Sequence, residues 1–272
     1  MAIAAVLACL IGAVLGLLGG GGSILMLPML IYVANIDAKT AIAMSLLLVG
    51  ATSLVGTLMQ ARTGFVQWRA GAIFGAGAMM GAFGGGNLAH LLAAKVLLAL
   101  FGVIMLVTAL AMLRRRTDSA QTPRRAAVAA MLLIGAAVGL LAGMVGAGGG
   151  FLIVPALTLL GGVALREAVG TSLLVITLQS FAGLAGHLAH VHLDVRLTTV
   201  LCGATILGTL VGTAFAKHLS VQTLRNAFAW LVLSMGIFFL SRQLSMTTTL
   251  TLTACTLVAA YVFTRPTQVQ ET

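Results

Sequence analysis

Apolar residues run along this chain in long unbroken blocks, without the alternation of a half-buried strand or the one-sided stripe of a surface helix. The blocks cover residues 3–18, 23–35, 40–61, 70–92, 96–113, 126–146, 150–161, 168–189, 197–216, 221–240 and 246–264. Most approach the ~20 residues that carry a helix across a bilayer. Two are too short: Ser23 to Ala34 would reach only about 18 Å of a ~30 Å hydrocarbon core. Hydrophilic residues gather at length in one place, Arg114 to Arg125, RRRTDSAQTPRR, which divides the chain nearly in half. The pattern predicts an all-α polytopic membrane protein.

Composition supports this. Of 272 residues, 60% are hydrophobic and 7% charged, whereas soluble domains carry about 25% charged residues. The net charge of +10 does not indicate nucleic acid, because the basic residues stand at block ends or in the central loop, as topology signals do. Cys9, Cys202 and Cys255 are far apart within apolar blocks, so neither a disulfide framework nor a metal site is readable. No cofactor is expected. The first block lacks a basic leader and a clear cleavage site, and is read as retained.

Sliding the chain by 127 residues superimposes Pro28 on Pro155, Gly12 on Gly139, Gly16 on Gly143, Ser45 on Ser172, Ser53 on Ser180, Arg69 on Arg196 and Phe101 on Phe228, without a gap. Chance matches in a low-complexity sequence would not keep Pro, Ser, Arg and Phe in one register. The chain therefore reads as a first transmembrane repeat (1–116), a basic cytoplasmic loop (117–125), a second repeat (126–243) and an extra C-terminal helix and tail (244–272). Duplicated halves are characteristic of secondary transporters, in parallel or inverted arrangement. With the central loop inside, parallel halves put nine basic residues inside and six outside; inverted halves with re-entrant opening segments put eleven inside and four outside. Charge favours inversion.

Each repeat opens with a glycine-broken segment, Gly19, Gly20, Gly21, Gly22 and Ser23 in the first and Gly146, Gly148, Gly149 and Gly150 in the second. Consecutive glycines cost about 1 kcal/mol each in a helix, and irregular backbone at membrane depth survives only where protein buries it or a cavity adjoins it. Freed amides there make an anion site without any buried cation, and two such sites facing across a pseudo-dyad would hold one small oxyanion. Gly12/Gly16, Gly139/Gly143 and the ladder Gly77, Gly81, Gly85 read as helix-packing surfaces. Ser45, Ser53, Ser172, Gln179 and Ser180 follow each break in the next helix and are candidate substrate ligands, although a lone membrane Ser usually bonds its own helix. No carboxylate lies mid-membrane; Asp37, Glu167 and Asp194 border it and are expected to pair with Lys39, Arg166 and Arg196. The histidines stand near block ends, as solvated interfacial residues would. Any proton coupling falls to His187 and His190. No nucleophile with a base and no metal cluster is readable, so an enzyme is not expected.

The paired GLLGGGGSILMLP (Gly16–Pro28) and GMVGAGGGFLIVP (Gly143–Pro155), each followed by AxxxSLL at Ala41–Leu47 and Ala168–Leu174, resemble the sulfite exporter TauE/SafE family, also called the 4-toluenesulfonate uptake permease family. The likeness runs from Gly12 to Arg242. It implies a multi-pass carrier of the bacterial inner membrane for small sulfur-containing anions, sulfite or organosulfonates, with the substrate near the two glycine segments. Proton-coupled uptake and an anion channel are the alternatives that the same residues allow.

Overall fold

The computed structural model describes residues 2–18, 22–114, 128–145, 150–159, 162–188, 191, 193–216, 230–238 and 240–241, and every regular element among them is helical. In chain order these are α1 (Ala2–Leu18), α2 (Ser23–Pro28) continued by a π-helical turn (Met29–Val33), α3 (Ala38–Ala61), α4 (Trp68–Ala89), α5 (Ala94–Arg114), α6 (Val128–Val145), α7 (Gly150–Leu159), α8 (Leu165–Leu188) and α9 (Val195–Ala216). Four helices, α3, α6, α8 and α9, are long and apolar enough to cross a membrane. The central loop 117–125 and the expected helix 246–264 lie outside the described residues.

Polar residues set the helix limits. The Asp37 carboxylate caps α3 by accepting from the Lys39 amide at 3.1 Å, and Asp194 caps α9 by accepting from the Leu197 amide at 3.1 Å. Neither forms the ion pair expected from the sequence. Lys39 reaches across to donate to the His90 carbonyl at 3.1 Å, Glu167 accepts from the Gln67 amide nitrogen, and the Arg166 guanidinium stands 6.0 Å from the centre of the Phe65 ring. A helix cap satisfies backbone donors that would otherwise be orphaned, so these acids serve the helix ends.

The lengths of the helices recur at the interval seen in the sequence. α3 and α8 each have 24 residues and begin 127 residues apart; α4 and α9 each have 22 and do the same. The turns before α3 and α8 also correspond. Asn35 has φ +53° and Gly162 φ +65°, and Ile36 and Val163 donate backwards to the Leu30 and Leu157 carbonyls at 3.0 and 3.1 Å. A left-handed residue closes each short helix and redirects the chain.

Glycine brings the long helices into backbone contact. A Cβ added at Gly12 would stand 2.1 Å from the Thr205 carbonyl oxygen, and one at Gly139 would stand 2.1 Å from that of Ala78. Gly208 meets the Cys9 carbonyl at 1.8 Å, and Gly81 meets that of Ala136 at 2.0 Å. The opening helix of each half therefore packs on the other half's third long helix, α1 on α9 and α6 on α4. Facing residue numbers rise together in both pairs, Gly12 with Thr205 and Gly16 with Thr209, so the partners run parallel. Between α3 and α8 the order is reversed: Gly50 faces Ser180 and Gly56 faces Leu173. These two helices cross antiparallel at the centre of the molecule, and both are largely buried.

Because α1 and α3 both point the same way, the chain between them must turn back. By Gly22 the chain has folded so closely on α1 that a Cβ there would stand 2.3 Å from the Leu15 amide nitrogen. We expect Gly208→Val and Gly81→Val to separate these helices and to lower the yield of monodisperse protein several-fold, an overpacking cost of about 1–3 kcal/mol or more. Gly203, with nothing within 4 Å of an added Cβ, should accept alanine without loss. Size-exclusion profiles of the three variants at equal expression check this.

Candidate functional site

The crossing of α3 and α8 collects the polar residues of the molecule's interior. Ser45, Thr52, Ser53, Ser172, Gln179 and Ser180 are all essentially inaccessible to solvent. Hydrogen bonding separates them into two groups. Ser45 donates to the Ile42 carbonyl and Ser172 to that of Val169, both at 2.8 Å, and Thr52 and Thr177 likewise donate to carbonyls of the preceding turn. These hydroxyls are satisfied by their own helices. Ser53 and Ser180 are not. Each is fully buried, and neither Oγ has a hydrogen-bond partner among the described residues.

Their placement is symmetric as well as central. Ser180 stands against Gly50, whose added Cβ would lie 3.2 Å from the Ser180 Cβ, and Ser53 lies one turn further along the same face of α3. The antiparallel register puts both within about a turn of the crossing point. A buried hydroxyl left unpaired costs about 1–3 kcal/mol, so two at equivalent positions call for a group that accepts from them.

Gly19, Gly20, Gly21, Gly146, Gly148 and Gly149 lie outside the described residues, as does His190. Their neighbours are placed: Gly22, Ser23 and Gly150 are buried. Gly16 stands beside Thr209 and Thr213, toward the C-terminal end of α3, while Gly143 stands beside Gly183 and His187, toward the C-terminal end of α8. As α3 and α8 are antiparallel, α1 and α6 end toward opposite ends of the core pair, and the short helices that follow them, α2 and α7, touch each other.

His187 is placed differently from expectation. It is 5% exposed, and its Nε2 lies 2.8 Å from the Gly143 carbonyl. Since a carbonyl only accepts, Nε2 carries the proton. The ring fits because Gly86 has no side chain; a Cβ there would be 3.3 Å from the His187 Cδ2. Helix-end position suggested a solvated residue, but the close approach of α4 and α6 covers it.

Sequence reasoning passed over a second polar group. Thr205, Thr209 and Thr213 on α9, with Thr57 and Gln60 on α3, are all buried, and Thr213 Oγ1 has no partner among the described residues. Their i, i+4 spacing could have been read as one helical face. No group of His, Cys, Asp and Glu among the described residues could hold a metal ion.

A buried helical core with four helices long and apolar enough to cross a membrane, counted among the described residues, defines a polytopic membrane protein. A sequence profile for the sulfite exporter TauE/SafE family matches residues 4–239. The chain is 35% identical over 245 residues to a probable membrane transporter protein of Xylella fastidiosa strain 9a5c, covering 86% of this chain and 92% of that protein. It is 30% identical over 225 residues to the probable membrane transporter protein YdhB of Bacillus subtilis, covering 80% and 91%. A probable membrane transporter protein of the archaeon Methanocaldococcus jannaschii is 24% identical over 250 residues, covering 85% and 93%. No solved structure gives a significant match. The chain belongs to the TauE/SafE family and is a membrane transporter.

Replacing His187 by leucine leaves the Gly143 carbonyl without its donor, and should lower the stability of the purified protein by about 1–3 kcal/mol. Glutamine, which can still donate there, should recover most of it. Thermal unfolding in detergent distinguishes the two.

Proposed function

We propose that this protein is a secondary transporter of a small sulfur-containing anion, most simply an exporter of sulfite or a related oxyanion or organosulfonate across the bacterial inner membrane. The carrying observation is the pair of buried, unpartnered hydroxyls of Ser53 and Ser180 at the α3–α8 crossing. A hydroxyl can donate to an oxyanion, and in a water-free interior such charge-assisted bonds are worth about 1.5–3 kcal/mol each. No buried Lys or Arg is required, which keeps release of the anion feasible. Gln179, beside Ser180, joins the candidate ligands, and the glycine runs Gly19–Ser23 and Gly146–Gly150 are proposed to contribute backbone amides to the same anion site. The family's description names sulfite, which agrees with a small site built from neutral donors.

The halves are read as inverted repeats. In support, Gln67, at the end of the α3–α4 turn, donates from its backbone amide to Thr171 Oγ1 at 2.9 Å. The start of α8 is thus on the same side as the end of α3, which supports the inverted reading. An anion leaving the cell gains about 2.3 kcal/mol per charge per 100 mV of inside-negative potential, so export needs no coupling ion.

Ser53→Ala and Ser180→Ala should each weaken sulfite binding by about tenfold or more, from a bond of at least 1.4 kcal/mol, while leaving thermal stability unchanged or higher because an unpaired buried hydroxyl is removed. Calorimetric titration of purified protein with sulfite, sulfate, thiosulfate, sulfoacetate and taurine gives both affinity and substrate class. Full affinity in the double variant would rule the hydroxyl pair out.

Topology has its own test. Single cysteines at positions 118 and 268 should label from the cytoplasm and one at 193 from outside. Labelling of 193 from the same side as 118 would replace inversion with parallel halves.

A further inference from the structure

The two halves agree in backbone and disagree in chemistry along one line. On α3 the buried residues Ser53, Thr57 and Gln60 fall at i, i+4 and i+7, on one helical face. α9 runs beside it with Thr205, Thr209 and Thr213, and Gly56 brings α3 to 3.7 Å from the Thr209 methyl, measured from an added Cβ. At the positions 127 residues away in the other half stand Ser180, Leu184 and His187 on α8, and Ala78, Ala82 and Gly86 on α4. One compartment is a ladder of hydroxyls and an amide. Its counterpart is apolar below the serine and ends in a histidine that already donates to Gly143.

Packing differs in the same sense. α4 and α8 touch backbone to backbone: an added Cβ at Gly86 would stand 2.6 Å from the Gly183 carbonyl oxygen, and one at Gly186 would stand 2.7 Å from that of Phe83. Between α3 and α9, threonine side chains hold the backbones apart. Most donors of the ladder are committed: Thr57 donates to the Ser53 carbonyl at 2.7 Å, Thr209 to that of Gly12 at 3.0 Å, and Thr205 to that of Leu201 at 3.0 Å. Two groups differ. Thr213 Oγ1, 2% exposed, has no partner among the described residues. Gln60 accepts the Thr63 hydroxyl at its Oε1, 3.1 Å away, which turns its amide nitrogen, a double donor, the other way. Gly56 faces Thr209, so one turn further along each helix Gln60 falls level with Thr213, whose Oγ1 also lies against α1, 2.8 Å from a Cβ added at Gly16.

We infer that Gln60 and Thr213 form a second anion subsite, at the end of a polar path that runs from Ser53 between α3 and α9 to the face bearing Arg62. Its ligand is the transported oxyanion, bound by neutral N–H and O–H donors, with the exposed Arg62 guanidinium attracting it at the rim. The inference rests on the central hydroxyls being the inner end of the path. The α4–α8 side carries no equivalent path.

Single cysteines at 60, 82, 184 and 213, in a full chain with Cys9, Cys202 and Cys255 replaced by alanine, test this with a sulfonate-bearing and a trimethylammonium-bearing methanethiosulfonate. With each rate divided by that reagent's rate on free thiol, Q60C and T213C should react with the sulfonate reagent at least tenfold faster than A82C and L184C, and faster than with the cationic one. Equal rates at 213 and 184, or a preference for the cation, would overturn the path. In the otherwise native chain, Thr213→Val and Gln60→Leu should each weaken sulfite binding threefold or more; unchanged affinity in both would overturn the subsite. If sulfite fails to bind even the native protein while the labelling pattern holds, the substrate assignment fails and the path stands.

Discussion

Close contact of helix backbones is the constraint on which the rest of this structure depends. Between lipid-embedded helices there is no water to expel, so association relies on dispersion contact and on small residues that let the axes approach. Here that contact is made between halves. Gly12, Gly16, Gly208 and Gly212 join α1 to α9, and Gly77, Gly81, Gly85, Gly139 and Gly143 join α4 to α6. Neither half keeps its opening helix to itself. The antiparallel α3–α8 pair is thereby enclosed, and its buried hydroxyls are isolated from lipid and from each other's chain ends.

That enclosure converts weak polar groups into significant ones. A serine facing solvent or its own helix does little, and Ser45 and Ser172 show the ordinary outcome, each bonded to a carbonyl three residues earlier. Ser53 and Ser180 differ only in where α3 and α8 cross. The same enclosure explains His187, which the meeting of Gly86 and Gly143 turns from a helix-end residue into a buried donor. Function is set by the tertiary crossing more than by residue type.

Much of the architecture was legible in the sequence because the hydrophobic blocks and the 127-residue interval are long-range signals. Helix lengths, the short α2 and α7, and the turns at Asn35 and Gly162 all follow that interval. The packing role read for Gly12, Gly16, Gly139 and Gly143 agrees with their contacts. Facing was not legible, because helices apolar on all sides carry no periodic stripe to orient them. Hence nothing in the sequence shows that Asp37 and Asp194 cap helices, or that Thr205, Thr209 and Thr213 share a buried face. Each of these depends on which neighbour a residue meets, and that is a property of the interlocked halves.

The departures from symmetry carry as much meaning as the symmetry. Helices that recur in length and spacing need not recur in chemistry. In the proposed path, threonine at 213 where the other half has Gly86, and Gln60 where it has His187, stand as donors in place of a close backbone contact. Neutral donors suit that task. They can follow an anion's charge stepwise without the several kcal/mol penalty of a buried, unpaired cation, which would also hold the anion too tightly to let it go. In the proposed path the exposed Arg62 and Arg69 would raise the local anion concentration over the α3–α9 end. Under the proposed function, selectivity for charge falls to the mouth, and selectivity for shape and hydrogen-bond acceptors to the crossing of α3 and α8.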